Sequence, residues 1–182
     1  KLVVEASRDH GKSWMFSFAY PLWRIQKIRD MKNAIAVALI SYSEAQAQVN
    51  LDRIRKAVEE NLWLKWLHPK GNKLSYTWEK GHLDLSNGCT VDAFGWTSSI
   101  RGGHYHLMIV DDPCKDEGAM SLSVEQQKKN FYRMMVPACR KTGQLVITGN
   151  PVDKHDFLEE MESNKKFHLA KFPAFSKDNI PL

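Results

Sequence analysis

No cysteine pair stands at metal-ligand spacing in this chain. Its three cysteines, Cys89, Cys114 and Cys139, are odd in number and far apart, so no cysteine metal site is indicated and a reducing compartment is expected. No apolar run reaches the ~18 residues that a membrane-spanning helix needs, and the N-terminus lacks the charged-then-apolar pattern of a signal peptide. Neither a membrane partner nor secretion is therefore expected. Charge of one sign does not dominate: 26 Lys and Arg against 21 Asp and Glu leave a net charge of +5, which permits a polyanionic partner without demanding one. With 43% hydrophobic and 26% charged residues over 182 positions, the chain has the balance of a single globular domain with a sizeable core. The first apolar run starts at residue 2 with nothing upstream to pack its flank, so the chain is expected to be a fragment of something longer.

Behind the apolar run Leu2-Val3-Val4 stands Glu5-Ala6-Ser7-Arg8-Asp9-His10-Gly11-Lys12-Ser13, which fits the phosphate-loop pattern [AG]-x-x-x-x-G-K-[ST]. In that pattern Gly11 lets the backbone approach a polyphosphate, Lys12 reaches the β- and γ-phosphates, and Ser13 offers a hydroxyl to magnesium. The unpaired N–H groups of the helix expected to start here add to the attraction for phosphate. Residues Ser7, Arg8, Asp9, His10, Gly11, Lys12 and Ser13 are the candidate phosphate-binding set, with Ser13 a candidate magnesium ligand.

Downstream the pattern alternates between strand and helix. Lys12 to about Arg29 reads as a helix with Met15, Ala19, Leu22 and Ile25 on one face and a bend at Pro21; Arg24, Lys27, Arg29 and Lys32 suit a solvated face in preference to a DNA contact. Ala34 to Ser41 is a continuous apolar run of the type buried on both faces of a parallel sheet. Ser43 caps a helix to about Asn61 with Ala47, Leu51, Ile54 and Val58 as its buried stripe. Leu62 to Lys80 mixes Trp63, Trp66 and Trp78 with Lys65, Lys70, Lys73 and Lys80, a composition that serves either as partly buried anchors of an insertion or as a nucleic-acid contact. Leu83, Leu85, Val91 and Ala93 alternate around Asn87-Gly88, a hairpin signal. The whole predicts an α/β fold with a mostly parallel central sheet flanked by helices and a β-hairpin insertion.

Two later strands end in polar residues. Tyr105 to Val110 delivers Asp111-Asp112-Pro113 at its C-terminal end, and ligands of open α/β sheets bind beyond that end of the strands. Asp111 is the candidate metal carboxylate and Asp112 the candidate group that polarises the attacking water. Gln144 to Thr148 ends in Thr148-Gly149-Asn150-Pro151 at the same edge, where Thr148 and Asn150 either reach a γ-phosphate or its water or form the turn that Gly149 and Pro151 require. Between them Val124 to Ala138 reads as a helix with Phe131 and Met135 inward. A short acidic helix is expected from Asp153 to Asn164 and a last strand from Phe167 to Phe172.

In their order and spacing these pieces resemble the ATPase domain of the terminase large subunit, the motor that packages DNA into tailed-phage and herpesvirus capsids. The likeness is carried by Arg8 to Ser13, by Arg101-Gly102-Gly103 before Leu107-Met108-Ile109-Val110-Asp111-Asp112, and by Thr148-Gly149-Asn150-Pro151. It implies a P-loop NTPase fold of the ASCE type, ATP and magnesium as cofactors, and hydrolysis of ATP that powers movement of double-stranded DNA. Residue by residue it implies Lys12 and Ser13 on phosphate and magnesium, Arg8 as the loop arginine, and Asp111 on the metal. Asp112 stands where the family usually carries a catalytic Glu, Arg101 at the arginine-finger position, and Thr148, Gly149 and Asn150 as a coupling segment. It further implies a homo-oligomeric ring, a portal protein and a small terminase subunit as partners, and action in the host cell cytoplasm during virus assembly. The family's base-binding segment would precede Lys1 and its nuclease domain would follow Leu182. Competing readings are a nucleic-acid helicase or another ring translocase, of which a helicase of the two-lobed kind would need a second sheet with its own arginine that 182 residues do not contain; a nucleotide-gated DNA-binding module without turnover; and a metal nuclease built on Asp84, Asp92 and Asp111.

Overall fold

The computed structural model describes residues 1–7, 10–70, 76–100, 102–113, 123–150 and 157–172. Seven strands form one sheet: β1 (Leu2–Ala6), β2 (Ala36–Ser41), β3 (His82–Asp84), β4 (Thr90–Gly95), β5 (Tyr105–Asp111), β6 (Cys139–Gly149) and β7 (His168–Phe172). Their spatial order is β3-β4-β2-β5-β6-β1-β7. Every neighbouring pair is parallel except β3 with β4, the hairpin expected around Asn87-Gly88. β1, which leads into the loop, and β5, which delivers Asp111, are not neighbours, because β6 lies between them and pairs with both. Three strand ends, at Ala6, Asp111 and Gly149, therefore meet along one edge.

Alternation within the strands sorts side chains onto two cores. Val37, Leu39, Leu107, Ile109 and Val91 face one side, where α2 (Tyr20–Gln26) and α3 (Glu44–Glu60) cover them with Leu22, Ile25, Ala47, Leu51, Ile54 and Val58. Ala38, Ile40, Met108, Val110 and Ile147 face the other side, packed on Trp96, Phe131, Met135 and Phe157. Trp96, Phe131 and Phe157 contact one another with ring centroids 5.1–6.4 Å apart. The buried stripe expected on α3 is complete, and Ser43 caps it by accepting a bond from the Gln46 N–H at 3.2 Å.

Both prolines inside helices are preceded by a π-helical turn. The first helix runs as α1 (Lys12–Trp14), a π segment Met15–Ala19, then α2 with Pro21 at its start. The second runs as α4 (Val124–Asn130), a π segment Phe131–Met135, then α5 (Val136–Ala138) with Pro137. Proline lacks an N–H and its ring crowds the carbonyl one turn back. A widened turn of i→i+5 spacing relieves both without ending the helix. The extra residue rotates the face, so Met15, expected in the core, is 52% exposed and Ser17 is buried instead. Leu22 and Ile25 return to the core beyond the π turn, and the helix closes at Gln26 rather than Arg29.

Of the tryptophans in the basic stretch, Trp66 lies under the Arg29 guanidinium at 4.1 Å and Trp78 donates to Glu59 at 2.8 Å, as anchors would, whereas Trp63 is exposed. β6 begins at Cys139, ahead of the expected Gln144. α6 (Phe157–Ser163) leads into β7; residues 153–156 of the helix expected there lie outside the described residues, as do Lys73, Cys114 and 173–182. Among the described residues no helix is long and apolar enough to cross a membrane.

At the hairpin edge His82 bridges two carboxylates, Nδ1 to Asp92 at 2.5 Å and Nε2 to Asp84 at 3.0 Å. The bond to Asp92 holds the imidazolium against the desolvation of partial burial, Asp84 adds a second bond, and the pKa rises to about 9. A raised folded-state pKa means that this contribution to stability is complete below the unfolded value and is lost as the pH rises through about 9. Thermal melts of the wild type and His82→Gln should differ most at about pH 6 and converge above the folded-state pKa; a gap that does not change with pH would show that the bridge is not protonation-dependent. In the core, Leu107 is fully buried between β2 and β6, and Leu107→Ala should lower unfolding free energy by about 2–5 kcal/mol in urea titrations.

Candidate functional site

The loop after β1 turns into α1 through Gly11, whose φ of +72° is a left-handed conformation that a side chain would strain. The first turn is closed by Met15 N–H donating to the Gly11 carbonyl at 2.8 Å. Lys12, the first residue of α1, is 8% exposed, and its ammonium folds back over the loop. It donates to the carbonyls of Ala6 at 2.7 Å and Ser7 at 3.0 Å, and to Asn150 Oδ1 at 2.9 Å. A lysine has three N–H donors, and three acceptors are what allow this cation to lie out of water.

Beside it, Asp111 is 3% exposed at the end of β5. Its Oδ1 accepts from Ser13 Oγ at 3.1 Å and from Thr148 Oγ1 at 2.7 Å. Its Oδ2 accepts from Asn50 Nδ2 on α3 at 3.2 Å, and its backbone carbonyl accepts from Ser41 Oγ at 2.9 Å. Donors from α1, β6, α3 and β2 thus converge on one residue.

Asp112 is the one described non-glycine residue with positive φ, at 43°. Aspartate tolerates that region better than most residues, and the turn is tied down by Asp112 N–H donating to the Thr148 carbonyl at 2.9 Å. A Cβ at Gly149 would lie 3.3 Å from Asp112 Oδ1, so the absence of a side chain there gives the carboxylate room over the end of β6.

The structure therefore brings together Lys12, Ser13, Asp111, Asp112, Thr148, Gly149 and Asn150 from the expected set. Ser7 contributes its carbonyl to Lys12, and His10 is exposed at the loop. Arg8, Asp9, Arg101 and Pro151 lie outside the described residues. Thr148, read from sequence as a phosphate contact or a turn residue, is fully buried and donates its hydroxyl to Asp111. Asn50 and Ser41 escaped the sequence reading. The available signal was a polar residue set within an apolar pattern: Asn50 falls on the stripe of Ala47, Leu51 and Ile54, and Ser41 closes the run of β2.

The nuclease alternative fails on geometry. Asp92 alternates with the buried Val91 and Ala93 and so faces the opposite side of the sheet from Asp111, which continues the Leu107 and Ile109 face. Asp84 and Asp92 are engaged by His82, and among the described residues no cluster of three or more His, Cys, Asp or Glu is placed to hold a metal.

A hard cation shared with phosphate is a different case. Magnesium is bound through one or two carboxylates with phosphate oxygens and waters rather than by a full protein cage. One carboxylate beside one hydroxyl fits that need. Because the Ser13 proton is directed at Asp111, the lone pairs of its oxygen are left for a cation.

A family model described as terminase large subunit, T4likevirus-type, N-terminal, matches residues 3–169. Among solved structures, the large terminase from a thermophilic bacteriophage aligns with a TM-score of 0.61 at 12% sequence identity. The alignment covers 98% of this chain and 43% of that terminase, so the chain spans less than half of its length. A search of the curated proteins finds no match. The α/β sheet with its loop after β1 is a fold shared with the phage large terminase, and over residues 3–169 the chain belongs to the T4-like terminase large subunit family, in its N-terminal part.

Proposed function

We propose that this domain binds ATP with magnesium and hydrolyses it, and that the turnover drives double-stranded DNA into a viral procapsid. The observation that carries the reading is the convergence of Lys12, Ser13, Asp111 and Asn150 at the ends of β1, β5 and β6, a cation, a hydroxyl, a carboxylate and an amide at one sheet edge. Phosphoryl transfer to water requires charge neutralisation and alignment more than covalent chemistry, and these groups supply both.

In this reading the loop from Ser7 to Ser13, with Arg8, Asp9 and His10, cradles the polyphosphate, and Lys12 neutralises its outer phosphates. Ser13 and Asp111 would hold magnesium, which would supply charge compensation to the bound polyphosphate. Asp112 orients and deprotonates the attacking water; its side chain is one methylene shorter than glutamate, and the left-handed turn at Asp112 sets where that shorter carboxylate reaches. Asn150 must share Lys12 with the phosphate, so nucleotide arrival is felt at the end of β6, where Thr148, Gly149 and Asn150 act as the coupling segment. Arg101 serves as an arginine finger offered to a neighbouring subunit of a ring. A portal protein and a small terminase subunit are the remaining partners, and the host cytoplasm is the place of action.

Lys12→Ala should abolish magnesium-dependent phosphate release from ATP; retained turnover would sink the reading, and nucleotide binding without turnover in the wild type would favour a nucleotide-gated DNA-binding module. An arginine finger contributes roughly 10³–10⁵ in rate. Arg101→Ala protein mixed with Lys12→Ala protein should therefore recover ATPase activity under assembling conditions, and no recovery at any mixing ratio would argue against action across an interface.

A further inference from the structure

Asn50 is 1% exposed on a helix face that is otherwise apolar. A buried primary amide costs free energy unless its polar atoms are paired, and both ends of this one are. Nδ2 donates to Asp111 Oδ2 at 3.2 Å, and Oδ1 accepts from Arg53 Nη1 at 2.9 Å, one turn further along α3. The two partners demand the same orientation. A flipped amide would set its NH₂ against the guanidinium and its oxygen against the carboxylate, two repulsions in place of two bonds. Arg53 itself is exposed. A solvent-facing cation is thus connected to the Asp111 carboxylate through a single buried side chain.

The consequence for Asp111 is geometric. Ser13 and Thr148 both approach Oδ1, which alone would leave the carboxylate free to swing about that atom. The bond from Asn50 to Oδ2 stops the swing and determines which lone pairs face the loop.

We propose that Asn50 is a positioning residue for the metal carboxylate, locked in orientation by Arg53, so that α3 sets the magnesium requirement of the site. This rests on the magnesium-ATP reading given above. Asn50 touches neither phosphate nor metal; it acts through Asp111. Outer partners of this kind change metal affinity when lost, while leaving contacts to the rest of the ligand in place.

The test is equilibrium binding of a fluorescent, non-hydrolysable ATP analogue to the intact chain, titrated with magnesium chloride and repeated in excess chelator. Asn50→Leu keeps the volume and removes both bonds, and should raise the half-saturating magnesium concentration about 10-fold or more with metal-free affinity unchanged. Arg53→Ala should raise it by less, and Arg53→Lys, which retains an N–H donor, should return it toward the wild type. A merely structural Asn50 would lower the melting temperature without moving the magnesium requirement. Should Asn50→Leu not fold, Arg53→Ala decides, since its side chain is on the surface. A magnesium requirement identical to the wild type in Arg53→Ala and in any folded Asn50→Leu would overturn the proposal. A wild type that binds the analogue with no magnesium requirement would instead overturn the magnesium-ATP reading on which it rests.

Discussion

The buried carboxylate of Asp111 is the interaction on which the rest of this structure depends. A charge at 3% exposure is tolerable only where donors replace water, and here three side-chain donors do so from three separate elements. Ser13 binds the helix that follows the loop to β5, Thr148 binds β6, and Asn50 binds α3. Each bond is at once part of the site and a clamp between elements. Charge-assisted bonds are roughly twice as strong as neutral ones, so these three bonds tie α1, α3 and β6 to the end of β5.

Lys12 plays the complementary part. Its ammonium crosses from α1 to the carbonyls of Ala6 and Ser7 and on to Asn150, closing the loop against the end of β6. The lysine and the aspartate are thus not paired with each other. Each is neutralised by dipoles, the cation by carbonyl and amide oxygens, the anion by hydroxyls and an amide N–H. That arrangement leaves both charges available to a ligand of mixed sign, because a dipole is displaced from a charge more readily than a counter-ion is. β6 is the element common to both, through Thr148 on one side and Asn150 just beyond its end on the other.

Helix irregularity serves the same end. The π turn before Pro21 lets one continuous helix satisfy two demands: Ser13 at its start must face Asp111, and Leu22 and Ile25 further along must face the core. The same device before Pro137 carries Phe131 and Met135 into the aromatic cluster on the opposite side of the sheet. A regular helix through either proline would lose a hydrogen bond and clash with the preceding turn.

Much of this was legible from residue order alone. Apolar runs and the stripe Ala47, Leu51, Ile54 and Val58 determined the α/β alternation, Asn87-Gly88 the hairpin, and the glycine, lysine and serine of the loop the turn from β1 into α1. These are local statements, in which a pattern of period 2 or 3.6 or a turn residue carries its own physics. Tertiary structure alone decided the strand order that inserts β6 between β1 and β5, because pairing is chosen by which faces bury together and not by adjacency in the chain. It alone turned Met15 outward, since the π turn answers to packing as well as to Pro21. It also recruited Asn50, which in sequence is a polar flaw in an apolar stripe and in space is a donor to Asp111. A hydrogen bond between residues 61 positions apart leaves no trace in local pattern, and the site's outer support therefore became visible only once the sheet had brought its strand ends together.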